Sequence, residues 1–324
     1  MHQVTIVGFP QALASAITGM LDLFRLAGVT WARIHDQPPS PQFDVALATL
    51  DGGPCRCING VELNAQAALR DRQHSDLVVV PTIGGPIDKV LGENRPLLEW
   101  LQDQHRRQTD IASNCTGAFL LAEAGLLDHR QATTHWGFSR QFRQRYPQVD
   151  LRPERLITAD GNLFCAGGGV AWTDLGLYLV ERYCGSDLAR ELAKAFVVDR
   201  GHTSQWAYGT LPTLRYHQDE AILAIQDWLE THYAEPVDIE GLAHRINLSP
   251  RTFLRRFTAA TGDRPLTYLQ RLRLENAKRY LETPHLTVEQ VTRIVGYEDL
   301  SSFSRLFKRH TGLSPSAYRT RFSR

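Results

Sequence analysis

The chain has 324 residues, 43% of them apolar and 22% charged, which is enough for two domains with full cores. No apolar run approaches the length that spans a bilayer, and the five cysteines, Cys55, Cys57, Cys115, Cys165 and Cys184, are an odd number without zinc-ligand spacing. The net charge of +1 conceals a split: from Pro236 onward 16 basic residues face 8 acidic ones, whereas the remainder carries 20 against 27, so only the carboxyl-terminal part is expected to meet a polyanion.

The cysteines read as reduced thiols, and neither a metal nor a cofactor is expected. The amino terminus enters a strand at Val4 without the charged-then-apolar pattern of a signal peptide, so a cytoplasmic protein is expected. In chain order, Val4 to Gly8 is an apolar strand. Ala12 to Ala27 follows as a helix with apolar residues on nearly every side, which suits packing between a sheet and a second layer. Pro38-Pro39-Ser40-Pro41 breaks the chain before a second strand, Phe43 to Leu50. A third, Leu77 to Pro81, runs into Thr82-Ile83-Gly84-Gly85-Pro86, and Pro96 to Arg107 reads as a helix. Continuous apolar strands alternating with helices predict an α/β fold with a doubly wound parallel sheet.

The next stretch is the most chemical. A strand ends at Asn114, Cys115 sits on the bend, and an apolar helix departs at once, which is nucleophile-elbow architecture. The helix's amino end is expected to favour a thiolate at Cys115. His135, in Ala132-Thr133-Thr134-His135-Trp136, is the candidate to pair with it. Plainer roles stand beside these: a small buried thiol and a satisfied structural histidine. Trp136 and Phe138 suit an aromatic wall for a cationic ligand, although aromatics at such spacing are more often core. Gly167-Gly168-Gly169 lacks the spacing of a dinucleotide fingerprint and reads as a close-packing turn before a helix from Trp172 to Tyr183.

The residues Gly84-Gly85, Cys115-Thr116-Gly117-Ala118-Phe119, Ala124 to Asp128, Ala132 to Trp136 and Thr158 to Asp174 resemble the class I glutamine-amidotransferase-like (PfpI-type) superfamily. More narrowly, they resemble the ligand-sensing domains of GlxA-type regulators, over about residues 3 to 198. The resemblance implies a flavodoxin-like, dimeric sensing domain with an effector site at Gly84, Gly85, Cys115, Thr116, His135 and Trp136. Enzymes of that superfamily often set a carboxylate from the first helix beside the cysteine. Here no Asp or Glu precedes Asp22, and the corresponding position is Ala16. A cysteine–histidine pair lacking such a partner is a poorer catalyst, so binding is expected and not turnover.

Ser186 to Val198 reads as one more amphipathic helix, after which Arg200 to Gln218 loses periodicity around Gly201, Gly209 and Pro212, as a linker does. The expected domains are therefore 1–199 and 218–324, joined by 200–217. Helix signals resume from Asp219 to Tyr233, with Ile222, Ile225, Trp228 and Leu229 forming a face that braces the helices downstream.

From Ile239 to Tyr318 one unit is written twice. Leu242, Ile246 and Asn247 recur 49 places on as Val291, Val295 and Gly296. Phe253, Phe257, Thr261-Gly262, Pro265 and Tyr268 recur 50 places on as Phe303, Phe307, Thr311-Gly312, Pro315 and Tyr318. Each copy has the pattern of a helix-turn-helix: an apolar face at i, i+3, i+4 and i+7, a turn residue that tolerates left-handed backbone, a second helix burying two phenylalanines, and a glycine cap. Arg251, Thr252 and Arg255 are left outward in the first copy, and Ser301, Ser304 and Arg305 in the second, where they can reach base edges in a major groove. Lys308 and Arg309 are expected to meet phosphates. Tyr268 to Leu281 reads as a rigid connecting helix that holds the recognition helices for successive major grooves.

Leu248-Ser249-Pro250-Arg251, Arg255-Arg256-Phe257, Arg271-Leu272-Arg273-Leu274, Gly296-Tyr297 and Phe303 to Lys308 resemble the AraC/XylS-type DNA-binding domain, an all-α domain with two helix-turn-helix motifs. One departure is Thr292, where such domains usually carry alanine. A buried hydroxyl there needs a carbonyl one turn back. Together the two resemblances imply a transcription regulator, an activator by analogy, that acts on promoter DNA as a homodimer with RNA polymerase and no membrane. Its small-molecule effector would be an amino acid or amine derivative. The competing readings are a Cys115-dependent hydrolase or hydratase-like enzyme fused to a DNA-binding module, and a constitutive DNA-binding protein whose first domain only dimerises.

Overall fold

The apolar runs of the first half pair into one seven-stranded sheet. Its spatial order is Ile157–Asp160, Leu163–Ala166, Asp110–Asn114, Leu77–Val80, His2–Val7, Phe43–Thr49 and Ala67–Ala68. Each neighbouring pair is parallel except the edge hairpin of Ile157–Asp160 with Leu163–Ala166. Val4 lies opposite Val45 on one side and Leu77 on the other. Helices cover the sheet, so the central strands are buried along nearly their whole length, as the unbroken apolar runs require. The antiparallel hairpin was not expected from sequence. Ile157-Thr158-Ala159-Asp160 lies at the sheet edge and does not need an all-apolar sequence.

Two helices flanking this sheet, Ala14–Leu26 and Trp172–Cys184, approach closely because of glycine. A Cβ on Gly19 would enter the Trp172 ring, and one on Gly176 would come within 2.9 Å of Leu23. The helix expected to reach Val198 ends at Ala195, just before Val197 takes a positive φ of 54°.

This computed structural model describes the chain except residues 202, 209–216, 218, 284 and 324. It divides into two units, Met1–Gln205 and Trp206–Arg324. Of the stretch expected to link them, residues 202, 209–216 and 218 lie outside the described residues. Leu156 donates its amide to Thr203 O, and the Gln205 amide donates to Glu154 O, so Thr203 to Gln205 are tied into the first unit.

The second unit is all helical among its described residues. Glu220–His232 sets Ile222, Ile225 and Leu229 into a core with Leu242, Phe253, Phe257 and Tyr268. Leu274, Ala277 and Leu281 join Val291, Phe303, Phe307 and Tyr318 in a separate one. The connecting helix, Pro265–Glu282, is longer than expected and serves both. The repeat holds in detail. Thr261 Oγ1 donates to Phe257 O at 2.8 Å and accepts from Asp263 N at 3.2 Å; Thr311 Oγ1 donates to Phe307 O at 2.8 Å and accepts from Leu313 N at 3.2 Å. Gly262 and Gly312 close the helices at φ 77° and 79°. Thr292 finds its carbonyl one turn back, donating to Val288 O at 2.8 Å. No described helix is long and apolar enough to cross a membrane.

The threonine closures give a stability test. Thr261→Val and Thr311→Val keep the side-chain shape but take the acceptor from a half-buried amide, which costs about 1 kcal/mol each. Urea unfolding should show similar losses for the two. Because they close separate cores, the double variant should lose roughly the sum. A loss at only one site would contradict the structural equivalence.

Candidate functional site: the cysteine elbow and the paired recognition helices

The strand Asp110–Asn114 delivers Cys115 to the bend, a short turn spans Cys115–Gly117, and the helix Ala118–Glu123 departs. Cys115 holds φ 57°, a left-handed conformation uncommon for a residue with a side chain. Two features fix it there. Thr134 Oγ1 donates to Cys115 O at 2.8 Å. Gly117 lets the turn press on the neighbouring strand, for a Cβ there would lie 2.7 Å from Val80 O and 2.6 Å from Pro81 O.

The expected thiolate is not favoured. Cys115 is only 5% exposed, and burial pushes its thiol up, outweighing the amides of Thr116 and Gly169 and the hydroxyls of Thr116 and Thr82 that face the sulfur. A six-residue helix end does not offset that loss of solvation. Nor does His135 hydrogen-bond to Cys115. Its Nδ1 accepts from Gly137 N at 3.0 Å, and burial holds its pKa below the usual histidine value. A nucleophile–base pair needs hydrogen-bond reach, and this arrangement lacks it.

What joins the two residues is the glycine turn. Gly169 presents its amide to the Cys115 sulfur, and a Cβ on Gly168 would overlap the His135 ring. That turn is held by Gln205, a residue the sequence hid in an aperiodic stretch. Gln205 is 2% exposed. Its Oε1 accepts from Gly168 N at 3.0 Å and Trp136 N at 3.2 Å, while its Nε2 donates to Thr134 O at 2.7 Å and Pro153 O at 2.9 Å. Asn114 is a second residue that local pattern does not single out. It donates to Thr82 Oγ1 at 2.7 Å, and its own Oδ1 is buried without a partner among the described residues.

The remaining candidates divide. Thr116 is buried and donates to Ile83 O at 2.8 Å. Trp136 and Phe138 stand against His135, with ring centroids 5.3 and 5.7 Å away, and Phe138 is exposed. Gly84 and Gly85 serve packing: both amides donate to Gln11 O, at 2.8 and 3.2 Å, and a side chain on either would collide with Ile58 or Gln11.

In the second unit the recognition helices are Pro250–Thr261 and Leu300–Thr311. Asn247 at φ 51° and Gly296 at φ 82° make the turns before them, as their residue types predicted. Ser249 caps the first helix and Asp299 the second. Arg251 and Arg255 are exposed, and their guanidinium groups make no hydrogen bond or ion pair among the described residues. Thr252 is half-buried, its Oγ1 2.9 Å from the Ser249 hydroxyl, so it is less free than expected. Arg256 points away from this face and grips the cap of the bracing helix, with Nε 2.9 Å and Nη2 2.5 Å from the Asp219 carboxylate. In the second copy Ser301, Lys308 and Arg309 are exposed and Ser304 is half-buried, while Arg305 donates to Ser302 Oγ at 3.1 Å.

Known proteins share both halves. Residues 242–321 match the model of a helix-turn-helix domain, and residues 28–182 that of the DJ-1/PfpI family. The HTH-type transcriptional regulator CdhR of Pseudomonas aeruginosa is 33% identical over 271 residues, covering 83% of this chain and 80% of that protein. Isonitrile hydratase of Pseudomonas putida is 30% identical over 189 residues, 58% of this chain and 75% of the enzyme. A solved AraC family transcriptional regulator from Pseudomonas putida shares the fold of the first unit, with a TM-score of 0.51 at 23% identity over 60% of this chain and 100% of that one. With the elbow on a DJ-1/PfpI-type sheet and two recognition helices on an AraC-type module, the chain belongs to the HTH-type transcriptional regulators that combine these two domains.

Proposed function

We propose that this regulator binds a small metabolite at the Cys115 elbow without turning it over, and that the bound state alters its action on promoter DNA. The carrying observation is the elbow itself: a Cys115 whose burial pushes its thiol up and which makes no hydrogen bond to His135. Such an arrangement lacks an activated nucleophile, which favours binding over turnover. Asn114 Oδ1 leaves an unpaired acceptor beside it, which an amine-bearing effector would satisfy, and the aromatic trio of His135, Trp136 and Phe138 suits such a cation. Cys115, Thr116, His135 and Trp136 line the effector site, with Gly84 and Gly85 shaping its wall. Such an effector controls transcription only through better binding to one arrangement of the protein, and a cytoplasmic homodimer activating RNA polymerase is the form we assign. The sensing domain then runs to Gln205, past the expected boundary at 199, because Gln205 holds the elbow's glycine turn.

On DNA, Arg251 and Arg255 read bases, assisted by Thr252. Ser301, Ser304 and Arg305 form the second contact, and Lys308 and Arg309 meet phosphates. Both first-copy arginines are exposed and without a partner among the described residues, which supports that division.

The likeness to isonitrile hydratase favours one second reading, a Cys115-dependent hydratase or hydrolase. Iodoacetamide labelling followed by peptide mass mapping separates the two. A thiol with a raised pKa is almost wholly protonated at pH 7.5, so Cys115 should alkylate more slowly in the folded protein than in urea, and faster as pH rises. Faster labelling in the folded state at pH 7.5 would mark an activated thiolate and the enzyme. A thermal-shift screen of amines and amino acids should find a stabilising compound, since ligand at a hundredfold excess over Kd adds about 2.7 kcal/mol. Cys115→Ala should still answer that compound in a reporter assay; loss of response with binding intact would return the enzyme reading, and a screen without any hit would leave the domain as a dimeriser.

The DNA contacts separate by type. Arg251→Ala should relax preference at one base position by about 1–3 kcal/mol, whereas Lys308→Ala should weaken all sequences alike and lower the salt slope by about one. Unchanged operator selectivity in Arg251→Ala would reject the base-reading role.

A further inference from the structure

The two helix-turn-helix copies have separate cores that share one helix, and the seam falls at one residue. Leu269 and Leu272 of the connecting helix belong to the first core, and Leu274, Ala277 and Leu281 to the second. Between Leu272 and Leu274 lies Arg273. Its guanidinium donates in three directions: Nε to Tyr233 O at 2.6 Å, Nη2 to Glu235 O at 2.8 Å and Nη1 to Gly296 O at 3.1 Å. It also lies over the Tyr297 ring, 5.3 Å from the centroid.

These acceptors come from both sides of the seam. Tyr233 caps the bracing helix, and Glu235 lies two residues past it on the way into the first helix-turn-helix. Gly296 is the turn of the second, just past the helix Val288–Ile294. Carbonyls at helix ends lack intrahelical donors and favour a cation, so one arginine joins the end of the helix that braces the first core to the turn of the second copy. Gly296 completes the seam. A Cβ there would strike Ala234 O, and its φ is 82°. Its counterpart in the first copy, Asn247, carries a side chain. Fifty places after Arg273 stands Ser323, so the clamp is not part of the repeat.

We propose that Arg273, seated against Gly296 and Ala234, is a positioning residue that fixes the separation and rotation of the two recognition helices. Through them it sets the spacing of the two DNA subsites the protein accepts. A planar guanidinium reaching three carbonyls resists both sliding and twisting at the seam, which a lysine's point charge does not. This inference rests on both recognition helices engaging DNA.

The test uses the full-length protein. Selection from a randomised duplex pool yields the preferred two-part site, and further duplexes lengthen or shorten its spacer by one base pair. Wild type should lose at least about tenfold in affinity on either change, since each base pair turns the second subsite by about a tenth of a helical turn. Arg273→Ala should bind the preferred site more weakly yet lose less than about threefold on the same changes. If that variant does not fold by circular dichroism, Arg273→Lys answers by the same ratio. Spacing discrimination equal to wild type in a folded variant overturns the clamp alone. A wild type indifferent to spacing overturns the two-helix reading, and the clamp with it.

Discussion

The DNA-binding unit depends on an aromatic anchor used twice. Phe253 and Phe257 meet at 5.5 Å, and Tyr268 from the next helix stands edge-on to Phe257 at 5.5 Å. In the second copy Phe303, Phe307 and Tyr318 repeat this at 5.6 and 5.4 Å. A twelve-residue helix alone is marginal in water, whereas each buried phenylalanine contributes about 1.5–3 kcal/mol. The anchor also decides orientation. With positions 253, 257 and 261 inward, 251, 255 and 258 must face out. Anchoring a helix and presenting its arginines are thus one act of packing.

The first unit works through its main chain. Cys115 occupies a strained φ because the elbow's carbonyl is held by Thr134 and its turn is pressed against the strand at Pro81. The opposing electrostatic effects at its sulfur have a clear winner. Several donors face it, yet burial dominates and pushes the thiol up. An elbow geometry therefore does not by itself make a nucleophile. It makes a rigid place where main-chain amides, a buried amide side chain and an aromatic trio converge.

Patterns with a short period were legible in the sequence. The apolar strands, the phenylalanine spacing, the paired glycine caps and even the carbonyl that Thr292 requires could be read from neighbours within a turn or two. The elbow was legible for the same reason, since strand, cysteine and helix are contiguous. Gln205 was not, because its side-chain partners lie 37 to 72 residues away and its own surroundings carry no periodicity. The thiol's state was not legible either: helix position is local information, whereas desolvation depends on everything that covers the site. Gly84 and Gly85 show the same limit from the other side. The sequence marked them as special, but only the fold reveals that they make room for Gln11 and Ile58.

Repetition explains the fold of the second unit, so the departures from repetition carry its particular function. The first copy keeps two arginine side chains free of any partner among the described residues, the state in which a guanidinium reaches a guanine edge without first breaking a bond. In the second copy Arg305 leans on Ser302, and the turn before its recognition helix is committed to the seam, where Gly296 receives Arg273 and abuts Ala234. Asn247, free of that duty, needs only the left-handed backbone that asparagine tolerates. A copy whose turn is fixed by its neighbour is suited to setting register, and a copy with unpaired arginines is suited to reading sequence. Duplication therefore supplied two equivalent scaffolds, and the glycine at one turn and the arginine at the seam made them unequal.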